Sequence, residues 1–260
     1  MSFLLKDNTR DSSSMRVFCQ ERVRIATRIE GLSDISDMSN GILIDAAHPR
    51  SLDDIEEHFF EFYRDAAESV TGLPITVIAE YDDLFATRIR AILRSAVYGD
   101  FSLLLRGILS KEEQKEALDL INKSFCELES EGREFNGYIQ RGLCIDTPLL
   151  LRQSEYKGLD FLAIDAERLL YLMTGHKHRI DKRIIMMISA QIAEIIEKSD
   201  VNCAVILGER TTDGDFCKRL TDSGAYSFFV SPGNEKNTLD ILTSLSTEPL
   251  KKSHISEDKF

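Results

Sequence analysis

Ile75-Thr-Val-Ile-Ala-Glu80, a helical pattern over residues 84–97 and then Phe101-Ser-Leu-Leu-Leu-Arg106 read as one strand–helix–strand unit. Both short runs are apolar nearly throughout, as strands covered on both faces of a parallel sheet must be. The same alternation repeats on either side. Strands are expected upstream over residues 23–29 and 41–45, and downstream over 142–146, 161–165, 203–208 and 227–231. Eight β/α units in succession predict an α/β fold, a closed (β/α)₈ TIM barrel. An open doubly wound sheet is the alternative, and the strict alternation, with no division into two halves, favours the barrel.

The helical segments have recognisable starts. Ser51-Leu-Asp-Asp54 opens a stretch to about residue 70, and Ser110-Lys-Glu-Glu113 opens another to about residue 131, both as capping boxes or close to them. Further helices are expected over 181–198, 214–223 and 235–245, with shorter pieces over 33–38, 148–156 and 167–173. Residues 1–16 and 246–260 are polar and lack an apolar period, so they read as flexible tails around one domain spanning 17–245.

Composition narrows the function classes. With 43% hydrophobic residues the chain can bury a full core, yet no run is long and apolar enough to span a bilayer. A net charge of −12 disfavours nucleic acid and anionic membrane as partners. The cysteines, Cys19, Cys126, Cys144, Cys203 and Cys217, are scattered without a C-x-x-C spacing. That argues against a disulfide framework or a zinc site and for a reducing, cytoplasmic setting.

Several segments carry a resemblance. Arg88-Ile-Arg-Ala-Ile-Leu-Arg-Ser-Ala-Val-Tyr-Gly99 is followed by Glu131-Gly-Arg-Glu-Phe135, Ile139-Gln-Arg-Gly-Leu-Cys-Ile-Asp-Thr-Pro148 and Gly158-Leu-Asp-Phe-Leu-Ala-Ile164. Gly208-Glu209 and Gly224-Ala-Tyr-Ser-Phe-Phe-Val-Ser231 complete the series. In this order, from about residue 23 to 245, the chain resembles the C-terminal phosphoenolpyruvate-binding barrel of enzyme I of the sugar phosphotransferase system. The resemblance implies a barrel of the phosphoenolpyruvate/pyruvate type, a homodimer, and a site where arginines and Mg²⁺ neutralise a dianionic phosphate.

Against that pattern the site residues differ. Where the family has an arginine after its second strand, Ile44 stands here, followed by Asp45. Where it has another after the third strand, the chain reads Ile78-Ala-Glu-Tyr-Asp82, and Asp83 runs almost directly into the next helix. The lost third βα loop predicts a barrel distorted or imperfectly closed on that side. The family's metal-binding glutamate is matched by Asp146, and its Asn-Asp pair by Glu167-Arg168; an inward Arg168 would take the metal's space. Leu207 matches the catalytic cysteine and cannot protonate an enolate, while Cys203 reads as a buried structural thiol.

Asp45, Glu80, Asp146, Asp165, Glu167 and Glu209 fall at or just past strand ends, on the rim where barrel sites form. Asp146, Glu167 and Glu209 are the candidate ligands for a possible Mg²⁺, although no cofactor is expected. Arg168 and Lys177 are the rim cations in this reading. Lys177 and Arg179, in Gly175-His-Lys-His-Arg179, are a candidate relic of anion binding; a solvated basic turn or a pair of metal-binding histidines are the other readings. The apolar stripe 184–196 reads as a sheet-facing helix wide enough for subunit packing. The expected function is a non-catalytic barrel that binds a protein partner as a scaffold or regulator. A metal-dependent enzyme of the same superfamily, or a phosphotransferase fragment working with a separate phosphohistidine protein, stays open.

Overall fold

A computed structural model of the chain describes residues 24–34, 40–45, 54–153, 156–175 and 180–246. The strands are β1 (Arg24–Ile29), β2 (Ile42–Ile44), β3 (Ile75–Glu80), β4 (Phe101–Arg106), β5 (Gln140–Ile145), β6 (Phe161–Asp165), β7 (Asn202–Ile206) and β8 (Ser227–Val230). The described α-helices are α1 (Ile55–Ser69), α2 (Phe85–Ser95), α3 (Lys111–Ser130), α4 (Ala166–Thr174), α5 (Lys182–Lys198), α6 (Gly214–Asp222) and α7 (Glu235–Ser246). All strand pairs are parallel and follow chain order, and β8 closes on β1. The expected barrel is therefore the observed one. The outer reaches of the expected tails lie outside the described residues.

Strand parity divides the core in two. Ala26, Leu43, Ile78, Leu104, Cys144, Phe161, Ala163, Ala204, Ile206 and Phe229 form one buried cluster that fills the barrel. Their strand neighbours, such as Ile25, Ile44, Val77, Leu103, Leu143, Ile164, Val205 and Phe228, pack outward against the helices. Large and small side chains alternate within the barrel because the bore is too narrow for eight large ones. Gly142 shows the tightness: a Cβ there would stand 2.4 Å from the Phe161 ring.

The expected opening at the third unit is absent. β3 and β4 pair over six residues, from Ile75 with Phe101 to Glu80 with Arg106. Closure depends on the register of buried strand residues, which a loop above the strand leaves unchanged. The short connection is also tied down, since Arg88 donates to the Glu80 carbonyl at 2.9 Å and to both carboxylate oxygens of Asp82 at 3.1 and 3.2 Å.

Three local expectations change. Within residues 148–156 the described helical structure is the 3₁₀ turn Leu150–Arg152, held by the Tyr156 hydroxyl donating to the Leu150 carbonyl at 2.7 Å. The N-cap of α1 is Asp54, in the left-handed region at φ 53° without a side-chain cap; residues 51–53 lie outside the described residues. At α3, Ser110 caps Glu113 N–H as expected, but the Glu113 carboxylate reaches back to Leu109 N–H at 2.6 Å, one residue beyond a capping box.

The arginines of α2 bind helices to one another. Arg90 reaches Glu56 at 2.6 Å and Glu131 at 2.7 Å, and Arg94 reaches Glu56 and Glu57, each at 2.8 Å. Arg94 also lies 4.1 Å from the centroid of the Phe60 ring. In α5, Ile188, Ile192 and Ile196 are buried in the outer core, whereas Met187 is exposed.

Candidate functional site

The inward parity that fills the barrel with apolar side chains also decides what crowns it. Arg28, Asp45, Glu80, Arg106, Asp146 and Asp165 sit at or just beyond the ends of β1 to β6. Asp45 is buried and ion-pairs with Arg28 on one side; on the other, its Oδ1 is 2.7 Å from Arg106 Nη1, close in charge but not aligned as a hydrogen bond. Arg106 Nε donates to Glu80 Oε2 at 2.6 Å. Asp45 and Glu80 hold the guanidinium of Arg106 well above its ordinary pKa, against the opposing effect of burial.

The other half of the mouth is built from α4 and the loop after β7. Asp165 caps α4, accepting Arg168 N–H at 2.9 Å. Arg168 turns inward, with Nε 3.1 Å from Asp146 Oδ2. Asp146 Oδ1 is buried and has no hydrogen-bond partner among the described residues. Burial raises the pKa of Asp146, and Arg168 opposes the rise; burial likewise raises Asp165. Below them Cys144 lies inside the barrel, its thiol pushed far up by burial and by the nearby Asp165 and Asp146. A buried thiol of that kind is a poor nucleophile.

Glu167 faces the β7 loop, where Arg210 Nε donates to its Oε1 at 2.5 Å. Glu209 is exposed. The three carboxylates expected to share a cation are thus not brought together. Asp146 is committed to Arg168 and Glu167 to Arg210, and among the described residues no group of three His, Cys, Asp or Glu side chains could hold a metal ion. Paired in this way, the three carboxylates do not together form a Mg²⁺ site. Lys177 and Arg179, with the two histidines beside them, lie outside the described residues.

Orientation bears on two further positions and on the cations of the rim. Ile44 and Leu207 both pack in the outer core against helices, so the residues facing the mouth at those strand ends are Asp45 and Gly208, the latter with no side chain. The rim also holds more cations than Arg168 and Lys177, because Arg28, Arg106 and Arg210 were missed. Arg28 sits two residues from the inward-facing Ala26, and Arg106 two residues from Leu104, so parity alone could have found both.

A groove of about 660 Å³ lies on the flank rather than at the mouth, lined by Pro148, Leu151, Tyr156, Met173, Ile195 and Val201 among others. It occupies the place in the helix layer where β5 is followed by only a 3₁₀ turn.

Among the described residues no helix is long and apolar enough to cross a membrane. The chain is 27% identical over 146 residues to the phosphoenolpyruvate-protein phosphotransferase of Listeria monocytogenes, covering 50% of this chain and 25% of that one. It is 23% identical over 188 residues to the enzyme of the same name from Latilactobacillus sakei, covering 68% and 32%. The chain thus spans about a quarter to a third of these relatives' length. Malate synthase of Haloferax volcanii shares the fold with a TM-score of 0.60 at 11% identity, over 90% of this chain and 77% of that one. A citrate lyase of Burkholderia xenovorans does so with a TM-score of 0.57 at 11% identity, over 87% and 77%. The family model of the PEP-utilising enzymes' PEP-binding domain matches residues 54–201, more than half of the chain, which therefore belongs to that family.

Proposed function

We propose that this barrel is a non-catalytic member of its family, acting in the cytoplasm as a binding, scaffold or regulatory protein. The observation that carries the reading is the internal neutralisation of the mouth. Arg28 and Arg106 are engaged by Asp45 and Glu80, Arg168 by Asp146, and Arg210 by Glu167. A phosphoenolpyruvate dianion entering this mouth would displace resident carboxylates from each arginine and meet the remaining ones as like charges. Losing one charge-assisted bond to a phosphate costs about 1.5–3 kcal/mol, so losing the two at the family's replaced arginines weakens binding at least about a hundredfold. The likeness to phosphotransferases supports the fold's ancestry in phosphoenolpyruvate chemistry, and the paired charges support its loss here.

One observation favours a second reading, a metal-dependent enzyme with a remodelled site: Asp146 Oδ1 is a buried carboxylate oxygen without a hydrogen-bond partner among the described residues. Isothermal calorimetry with phosphoenolpyruvate and Mg²⁺ separates the two. The first reading expects no saturable heat at millimolar ligand and no pyruvate formed when a phosphohistidine domain is supplied. Micromolar, Mg²⁺-dependent binding abolished by Asp146→Ala would overturn it. A homodimer is part of the proposal, supported by exposed Leu149, Tyr171, Leu172 and Met187. Sedimentation equilibrium showing only monomer at tens of micromolar, the concentration of an ordinary interface, would remove it.

A further inference from the structure

Glu167 is the second residue of α4, and its carboxylate leaves its own β/α unit to enter the loop after β7. Three donors of different kinds meet it there. Arg210 Nε donates to Oε1 at 2.5 Å, the main-chain N–H of Arg210 donates to Oε2 at 3.3 Å, and the Thr211 hydroxyl lies 3.4 Å from Oε2. Thr211 is 0% exposed, Gly208 N–H donates to its oxygen at 2.8 Å, and its hydroxyl proton has two acceptors at 3.4 Å, Glu167 Oε2 and the Gly208 carbonyl. The carbonyl of Gly208 accepts from Thr211 N–H and Thr212 N–H at 3.3 and 3.1 Å, so the loop is a closed turn with its shape set by its own bonds.

Gly208 completes the cradle. A Cβ there would stand 2.4 Å from Glu167 Cγ and 2.7 Å from Oε2, so the space the carboxylate occupies exists only without a side chain at this position. An ordinary surface ion pair needs a guanidinium and nothing more. Here a main-chain N–H, a guanidinium Nε and a buried hydroxyl converge on both oxygens of one carboxylate, the arrangement that recognises a two-oxygen anion.

We propose that the loop 208–211 is an oxyanion receptor, and that the chain's own Glu167 occupies it as an internal ligand. An external carboxylate or phosphate presenting two oxygens would bind the same donors once Glu167 is withdrawn. Withdrawal needs no unfolding, because Glu167 lies in the first turn of α4 and the helix is capped independently by Asp165. The tethered carboxylate competes with a free one at an effective concentration in the millimolar range or above, which keeps the receptor closed at low ligand. The inference rests on the proposed function in one contact, the Arg210–Glu167 pair, while its other donors belong to the β7 loop and not to the arginines that crown β1 and β4.

The test is chemical rescue in the full chain. Thermal unfolding of wild type, Glu167→Ala and Glu167→Ala/Arg210→Met is followed at neutral pH in about 100 mM sodium acetate, sodium phosphate or sodium chloride at matched ionic strength. Acetate is expected to raise the midpoint of Glu167→Ala by on the order of 3 °C over chloride, with little effect on wild type or the double variant. Phosphate acting in place of acetate would identify the tetrahedral anion as the preferred ligand class. In Glu167→Ala, saturable shifts of the Arg210 main-chain amide resonance report binding at the loop itself. An acetate and phosphate response no larger than in wild type, or one that survives Arg210→Met, overturns the proposal. If Glu167→Ala does not fold, Glu167→Ser, which also vacates the loop and suits the first turn of a helix, takes the same titration with the same outcomes.

Discussion

Replacing Arg106 by methionine tests whether the mouth is one coupled charge network. Arg106 is nearly buried, with a side-chain exposure of 11%, and it bridges Asp45 and Glu80. Glu80 is 37% exposed, so water can replace the arginine there at little cost. Asp45 is only 4% exposed and cannot be rehydrated without opening the barrel. Breaking a buried pair by removing one partner costs about 3–5 kcal/mol. Arg28 still holds Asp45 in the variant, so the expected loss falls to about 2–3 kcal/mol, or roughly 4–12 °C in the unfolding midpoint for a chain of this size. The assay is urea unfolding of wild type, Arg106→Met, Asp45→Asn and the double variant, read as a double-mutant cycle. Removing both charges leaves no buried carboxylate without its arginine, since the remaining one, Glu80, is hydrated, so the double variant should recover at least about 1 kcal/mol relative to the sum of the single changes. The coupling should persist in 1 M salt, because a pair this buried is poorly screened. Additive single effects, or a loss below about 0.5 kcal/mol for Arg106→Met, would refute the reasoning.

Burial raises the pKa of Asp165 above the ordinary 3.8, so the folded protein binds that proton more tightly than the unfolded chain. Its contribution is fully present below the unfolded value and is lost as pH rises through the folded one. Asp165→Asn keeps an acceptor for Arg168 N–H, so its stability relative to wild type should improve between pH 4 and pH 7; denaturant midpoints at those two values, as about the acidic and neutral ends of the transition, check the direction. Gly142→Ala drives a Cβ to 2.4 Å from the Phe161 ring in the packed bore, and calorimetric unfolding should show a loss of about 1–3 kcal/mol or more. Arg90 is 14% exposed, and its partners Glu56, Glu127 and Glu131 are 22%, 43% and 42% exposed, so Arg90→Gln should cost about 1 kcal/mol at low salt and less in 1 M salt. Equal losses at both salt concentrations would show that the α1–α2–α3 links are buried contacts rather than screened ion pairs.

Runs such as Ile75–Glu80 and Phe101–Arg106 announce two-sided burial by composition, and their regular spacing by helices announces a barrel. For the same reason the sequence placed Asp45, Glu80, Asp146 and Asp165 on the rim: a carboxylate ending an apolar strand marks where the strand meets the mouth. The sequence left open whether Arg168 points inward, and in the structure its Nε lies 3.1 Å from Asp146. What sequence alone did not resolve was facing and partnership. Ile44 and Leu207 were matched to family site positions, yet their parity turns them toward the helices. Arg106 was read as the end of a strand, although it reaches across β3 to neutralise Asp45 of β2. Glu167 was weighed as a metal ligand, and the β7 loop, distant in sequence, holds it instead. Apolar composition and period are local properties, written in each strand separately. Which charge meets which depends on the closure of β8 on β1 and on the register that sets the height of every strand end, so that part of the site exists only in the closed barrel.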